Sequence, residues 1–501
     1  MVYLSAFKFT ELVGISIPII ACTWMFYSVL HRIHAALFGP LSTIPGPLLR
    51  SLTGIPEVID TLQGRTAPHD LPKLHAKYGP VVRTAPTKLS YLGTKQAWQE
   101  IYGFKTNIDK DPNHYRKAYN GKYSIVGAPK DIHAHHRKAL SHSFSETTLR
   151  QLEPLIARWV ARLVDRLYVE VADGRPIDML KWYNCTTFDI TGDMIFSEDL
   201  NMLGSGEYST WVQTIFDSFK SKSHIVALTS LGGPIKWIVN RVLTLLPSVQ
   251  KSAAEHWRYT KERVDRRFST TPERPDLWTE LLRRGDKAGL GMEDYYANAA
   301  ILLIGGSETT ASALSGTTYS LIKNPECLQK LVEEVRSKFR ETDDLTIEAL
   351  LELPYLKAVL QEGMRMYPPA AVTLERVVLA GGATIYGQHI PEGTSVGIAN
   401  FATMHSPEFF HKPDEFHPER WLNHEDFKND HLEVAEFFLT GPRKCLGVNL
   451  AWHELRFILA SMVLNFDIKL CSESEGWLNQ SLFIFWEKTP LYCRLEPVKD
   501  T

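Results

Sequence analysis

Cysteine is scarce in this chain, and what there is does not pair. Cys22, Cys185, Cys327, Cys445, Cys471 and Cys493 are the six cysteines in 501 residues, without the regular spacings of a disulfide framework, which fits a reducing compartment. An excess of one charge is lacking as well: the net charge of -2 gives no general affinity for nucleic acid. No Gly/Ser linker, internal repeat or low-complexity tract interrupts the main body, so one large unit is expected where length alone would suggest about three domains. There is no G-x-G-x-x-G loop, so no dinucleotide site of that type is built in.

What is present is 44% hydrophobic and 22% charged, the make-up of a folded body with a large core. The uncharged run Leu12–Leu30 comes close to the ~20 apolar residues that cross a bilayer. Gly14 and Pro18 are tolerated in such helices. A cleaved secretory signal is the competing reading, but its apolar core is usually about 7 to 15 residues, so an uncleaved anchor over residues 1–38 is expected. His31, Arg32, His34 and Arg50 follow the run, while Lys8 before it is offset by Glu11. The positive-inside rule therefore puts the body on the cytosolic side. Residues 39–47 contain Pro40, Pro45 and Pro47, which forbid helix and predict a stiff hinge before a body at 48–501.

The body is expected to be mainly α, with small β-sheets. Residues 79–93 are β-branched and bounded by Gly and Pro, which predicts a hairpin. Residues 149–325 have helical periodicity, with breaks at Asp173-Gly174 and Gly232-Gly233-Pro234. Lys261–Arg267 is a charge run best read as a solvated helix face. A long helix is predicted from Met292 to Lys323, stopped before Pro325; its centre is apolar all round and belongs in the core. Gly305 and Gly306 would let another group approach its backbone, with Glu308 and Thr309 facing the gap. Tyr367–Arg376 reads as extended, and Tyr386–Gly393 as turns of a small sheet.

One stretch stands out, Phe438-Leu439-Thr440-Gly441-Pro442-Arg443-Lys444-Cys445-Leu446-Gly447. Gly441 and Pro442 make a turn, Gly447 frees the backbone beyond, and a helix from Gly447 to Leu464 points its positive end at Cys445. That helix end and Arg443 would both lower the thiol pKa. A single thiolate cannot build a tetrahedral zinc site, which wants four ligands. It could be a buried cysteine after a glycine turn, or the one axial ligand of a haem iron. The full pattern F-x-x-G-x-R-x-C-x-G arises by chance on the order of once in 10,000 chains of this length. Elsewhere His133, His135 and His136 invite a metal reading, but no acid or cysteine lies at ligand spacing, and an exposed polar helix face is expected. Glu362 and Arg365 share a helix face at i, i+3.

The Cys445 stretch resembles the haem-binding loop of the cytochrome P450 family, the haem-thiolate monooxygenases. It departs only at Phe437-Phe438-Leu439, where many members have Pro-Phe-Ser. The Pro-Gly-Pro hinge after an anchor is similar to that of microsomal members. The resemblance implies the P450 fold, haem b with Cys445 as its axial ligand, and a loop shaped by Phe438, Gly441 and Gly447. His133 and Arg137 match an H-x-x-x-R pair that would reach a haem propionate; Arg376 and Arg443 match two further propionate arginines. Gly305-Gly306-Ser307-Glu308-Thr309 matches the A/G-G-x-D/E-T motif, in which the groove admits oxygen and Glu308 and Thr309 carry protons. Glu362, Arg365 and Arg420 match a buried structural triad.

The function so implied is oxidation of a hydrophobic small molecule with O2 and electrons from the membrane-bound NADPH-cytochrome P450 reductase, docked near Lys138 and Lys444. The location implied is the endoplasmic reticulum membrane, spanned once, with the catalytic domain in the cytosol. Ser141–Ser145, Trp182–Asn184 and Phe188–Asp193 are similar to fungal members that tailor polyketides or terpenoids. Pocket candidates are Tyr115–Tyr123, Ile215–Ile225, Ala370–Leu374, Ile301, Leu302 and Phe483, apolar and aromatic residues that would serve equally well as core. Two other classes remain: a haem-thiolate isomerase or dehydratase that needs no O2, against which Glu308 and Thr309 argue, and a non-catalytic haem-binding sensor.

Overall fold

The computed structural model describes residues 25–498 except 246, 273 and 285–288, together with 19, 22 and 23. The helices that matter for the site are α1 (Ile55–Leu62), α2 (Lys95–Tyr102), α3 (Lys130–Leu140), α4 (Glu153–Glu170), α5 (Met179–Phe196), α6 (Thr210–Ser230), α7 (Gly233–Leu245), α8 (Met292–Lys323), α9 (Pro325–Lys338), α10 (Pro354–Met366) and α11 (Val448–Asn465). Among the described residues, short strands accompany them: β1 (Val81–Ala85), β2 (Lys88–Tyr91), β3 (Ile108–Lys110), β4 (Ile177–Asp178), β5 (Arg376–Val378), β6 (Ala383–Ile385), β7 (Gln388–Ile390), β8 (Ser395–Ile398), β9 (Phe466–Leu470) and β10 (Tyr492–Pro497).

The long apolar helix spans the residues its periodicity marks out. Its first turn is capped by Asp294, whose carboxylate accepts from Gly291 N at 3.1 Å, and Pro325 begins α9 just beyond its end. Leu303, Leu314 and Leu321 are buried, each contributing about 1.5–3 kcal/mol. α8 packs along α5, which is itself buried on nearly every side, and against α10 and α11. Gly306 permits the close approach to α5, since a Cβ there would lie 3.0 Å from the Thr191 side chain.

The predicted hairpin is β1–β2, antiparallel, with Val82 opposite Ser90. It extends into a five-stranded sheet of order β1-β2-β8-β5-β3. The parallel β2–β8 pairing sets Leu89 beside Val396, and β3 runs antiparallel to β5 with Lys110 opposite Arg376. That last register brings two cations 266 positions apart onto neighbouring strands. β6–β7 forms the small turn predicted near Tyr386, and β4-β10-β9 closes the other end of the body.

Two expectations change. His133 and His136 are buried, not an exposed face, because α3 packs against α8: His136 Nε2 lies 3.8 Å from Asp294. In the charge run, Lys261 and Asp265 are solvated as expected, but Arg267 is buried in an ion pair with Asp276. The proline hinge lies against β1, with Arg83 N donating to Pro45 O at 2.8 Å. The expected anchor, Leu12–Leu30, falls largely outside the described residues. Residues 25–38 are helical, and among the described residues no helix is long and apolar enough to cross a membrane.

Candidate functional site

Cys445 sits on the loop between a single turn at Gly441–Arg443 and α11. Its backbone N donates to Phe438 O at 2.8 Å, which closes the loop into a ring. Gly441 is required there: its φ is +73°, and a Cβ would stand 2.0 Å from Tyr102 O at the end of α2. Leu439, at the position where the pattern departs, also holds a positive φ of 62°. Gly447 does not fit its expected role. Its φ of -90° is ordinary, and a Cβ would meet nothing closer than Phe144 at 3.8 Å.

The Cys445 side chain is exposed, but only into a cavity of about 1070 Å³. Burial pushes the thiol pKa up, and the Gly447 backbone N–H, Arg137 and Lys444 oppose it in that order. The positive helix end acts as expected. Arg443 does not, because its guanidinium turns away to Asp109 Oδ1 at 2.7 Å and Ala128 O at 2.8 Å. Arg137 takes that place, donating to Lys444 O at 2.5 Å.

To one side of the thiol lies a cluster of cations with too little negative charge. Arg376 is buried, stacked 4.7 Å over the Tyr102 ring, with one nitrogen donating to Leu374 O and Glu375 O at 3.0 Å. Its Nη2 and the Nη1 of Arg443 are buried without a hydrogen-bond partner among the described residues; the Tyr115 hydroxyl is near Arg376 without completing that bond. Lys110 lies 3.6 Å over the Tyr115 ring, its pKa driven well below the usual lysine value by burial and by the charges of Arg376 and Arg443. His133 is pushed down to about 4 by burial, then by Arg443 and Arg137. Asp109 is ion-paired with Arg443 and only partly offsets the charge on Lys110 and His133. Buried arginine N–H groups aimed at nothing cost about 1–3 kcal/mol each, and an anion would satisfy them.

α8 supplies Gly305 and Thr309 to the wall of the cavity onto which Cys445 opens. A Cβ on Gly305 would meet nothing within 4 Å, so this glycine opens space. Thr309 Oγ1 donates back to Gly305 O at 2.7 Å. Glu308 does not share that face. It is buried on the far side of the helix, ion-paired with Lys488, with Ser312 Oγ donating to it at 3.5 Å. Burial raises its pKa against the pull of Lys488. The expectation that both residues face the gap therefore holds for Thr309 and fails for Glu308, because consecutive helical residues point about 100° apart.

The family profile described as Cytochrome P450 matches residues 49–494. The chain belongs to the cytochrome P450 family. It is 44% identical to cytochrome P450 monooxygenase efuB of Hormonema carpetanum over 95% of each chain. Averantin hydroxylase of Dothistroma septosporum is 36% identical over 95% of this chain and 89% of its own. Cytochrome P450 monooxygenase FUM2 of Gibberella moniliformis is 38% identical over 91% of this chain and 98% of its own. The protein is thus an oxidoreductase of the P450 monooxygenase class, and membership implies a haem iron held by a cysteine thiolate.

The residues present fit that P450 cofactor. One accessible thiol opens onto the cavity, and the unsatisfied N–H groups of Arg376 and Arg443, with Lys110 and His133 beside them, suit the two carboxylates that haem carries. Among the described residues no cluster of His, Cys, Asp or Glu could hold a bare metal ion.

The P450 triad is assembled as expected. Arg365 donates to both oxygens of Glu362 at 2.9 Å and Arg420 to one at 3.0 Å, all three side chains fully buried. Among the partners that escaped the sequence reading, Trp421 Nε1 and His417 N donate to Glu362 at 3.0 and 2.9 Å, and Asp430 pairs with Arg420. Also missed were Asp109, Lys110 and Glu454. Glu454 is a buried carboxyl on α11 near Thr310, with neither oxygen in a completed hydrogen bond among the described residues, and burial raises its pKa strongly. A charged residue within an apolar helix was its only signal in the sequence.

Proposed function

We propose that this P450 hydroxylates or otherwise oxidises a hydrophobic small molecule, using O2 and electrons from an NADPH-dependent reductase. The observation that carries the reading is Cys445 opening onto a largely apolar cavity that Gly305 and Thr309 also line. Haem held there would supply an iron that activates dioxygen, with the thiolate donating electron density that favours O–O cleavage.

The chain's own part is to hold, orient and exclude water. Gly447 N–H, Arg137 and Lys444 favour the thiolate. Arg376, Arg443 and Lys110 would face the cofactor's carboxylates and offset their charge. Because the Thr309 hydroxyl spends its proton on Gly305 O, its lone pairs are free to accept from water or substrate in the cavity, which orients a proton donor there. The walls from Ile301, Leu302, Val372 and Phe483 fit an apolar ligand and decide which carbon is presented.

A role in fungal secondary metabolism, on a polyketide or terpenoid, is supported by relatives such as averantin hydroxylase. A single-pass endoplasmic reticulum location facing the cytosol is supported by two groups of exposed apolar side chains. Leu48, Leu49, Ile55 and Ile59 form one group, and Ile235, Trp237 and Ile238 on α7 another. Exposed Lys138 and Lys444 suit a reductase's acidic face.

With Glu308 turned away, only Thr309 argues against an isomerase or dehydratase, so turnover with and without NADPH and reductase is the discriminating assay. The primary test is the spectrum of the reduced protein with carbon monoxide. A red-shifted thiolate-type Soret band is expected, absent in Cys445→Ser; its absence from the wild type, or its persistence in that variant, overturns the reading.

A further inference from the structure

The cavity-facing stripe of α6 runs Phe219, Lys222, Ser223, Val226, Ala227 and Ser230, at the spacing of one helix face. Within it Lys222 is the exception in charge. It lines the cavity with its side chain still accessible, and the protein packed around it lowers its pKa. Among the described residues no acid pairs with it. Glu57 and Glu375 hold Lys88 between them, and Asp111 faces His114. His256 feels the Lys222 charge, and burial and that charge push it down to about 4, so it is neutral and adds no second positive charge.

An accessible cation among cavity walls with no anion beside it is left to pair with a negative group on whatever enters. We propose that Lys222 is a specificity-determining residue that selects an apolar substrate carrying a carboxylate, pairing with it across the cavity. This rests on the monooxygenase reading and adds the substrate's polar group to it. The acid end is then held at α6, and the carbon presented for oxidation lies elsewhere in the molecule. The remaining wall residues, Phe219 and Val226 among them, take the hydrocarbon.

The test is a Soret titration of the purified holoenzyme at pH 7.5 with dodecanoic acid and, separately, methyl dodecanoate. The wild type is expected to bind the acid about tenfold more tightly than the ester. Lys222→Met should lose that preference by weakening the acid about tenfold while leaving the ester within about twofold; Lys222→Arg should keep it. Equal affinity for acid and ester in the wild type, no binding of the acid, or an unchanged preference in Lys222→Met overturns the proposal. The carbon monoxide band is recorded on every variant. If it is missing from the wild type, the monooxygenase reading has failed; if it is present without acid preference, only the role of Lys222 has.

Discussion

The ammonium of Lys488, in the C-terminal loop, is ion-paired with the carboxylate of Glu308 on α8, and the same ammonium donates to Ser312 Oγ at 2.7 Å. Both side chains are almost fully buried. The pair ties the loop that carries Phe483 into the cavity to the middle of the central helix, and it holds Glu308 away from Thr309.

A pair buried this deeply should show its cost when halved. Glu308→Gln and Lys488→Met are each expected to destabilise the fold by roughly 3–5 kcal/mol, since each leaves one buried group uncompensated. The double variant should lose much less than the sum of the two. Denaturant unfolding of all four proteins gives the coupling; additive losses would mean the pair does not act as a unit.

The triad predicts a pH dependence. Burial alone would raise the Glu362 pKa, but Arg365 and Arg420 more than offset it and hold it below the ordinary 4.5. A carboxylate with a lowered folded pKa adds stability that is fully present above the unfolded value and lost as pH falls through the folded one. Urea midpoints should therefore drop as pH falls below 4.5. In Glu362→Gln the neutral-pH stability should be lower by about 3–5 kcal/mol and the acid dependence flatter.

Two glycines of the cysteine loop should respond in opposite ways. Gly441→Ala forces a Cβ to 2.0 Å from Tyr102 O at a positive φ, and loss of bound haem together with more than about 1–3 kcal/mol of stability is expected. Gly447→Ala meets only Phe144 at 3.8 Å and should leave the unfolding of the cofactor-free chain nearly unchanged. Melting temperature and haem per polypeptide, measured side by side, check both.

The unsatisfied arginines should matter for the cofactor more than for the fold. Arg376→Met and Arg443→Met each remove charged N–H groups worth about 1.5–3 kcal/mol to an anion, so haem should leave about tenfold or more faster. Transfer to an excess of a haem-accepting protein measures that rate. Lys110→Met should act in the same direction, and an unchanged rate in all three variants would place the carboxylates elsewhere.

Legibility followed the range of the interaction. The Cys445 loop, the length of α8 and the hairpin β1–β2 are local: turn glycines, prolines and apolar periodicity specify them within about 10 to 30 neighbouring residues. Glu362 and Arg365 are partners one helical turn apart, and so were visible as a pair. Asp430 was not, because nothing near it in the chain distinguishes it from any surface acid.

By itself the sequence determined which residue presents the thiol, where the central helix starts and stops, and that the body is mostly helical with small sheets. Only the tertiary structure decided which way the side chains turn. Packing of α8 against α5 rotates Glu308 toward Lys488 and leaves Thr309 to the cavity. Packing of the five-stranded sheet sets Lys110 beside Arg376, turns Arg443 to Asp109 and passes the place beside the thiol to Arg137. A chain encodes its turns and helices through neighbours, but a charge gains or loses its counter-charge through residues hundreds of positions away, and that balance exists only once the core has closed.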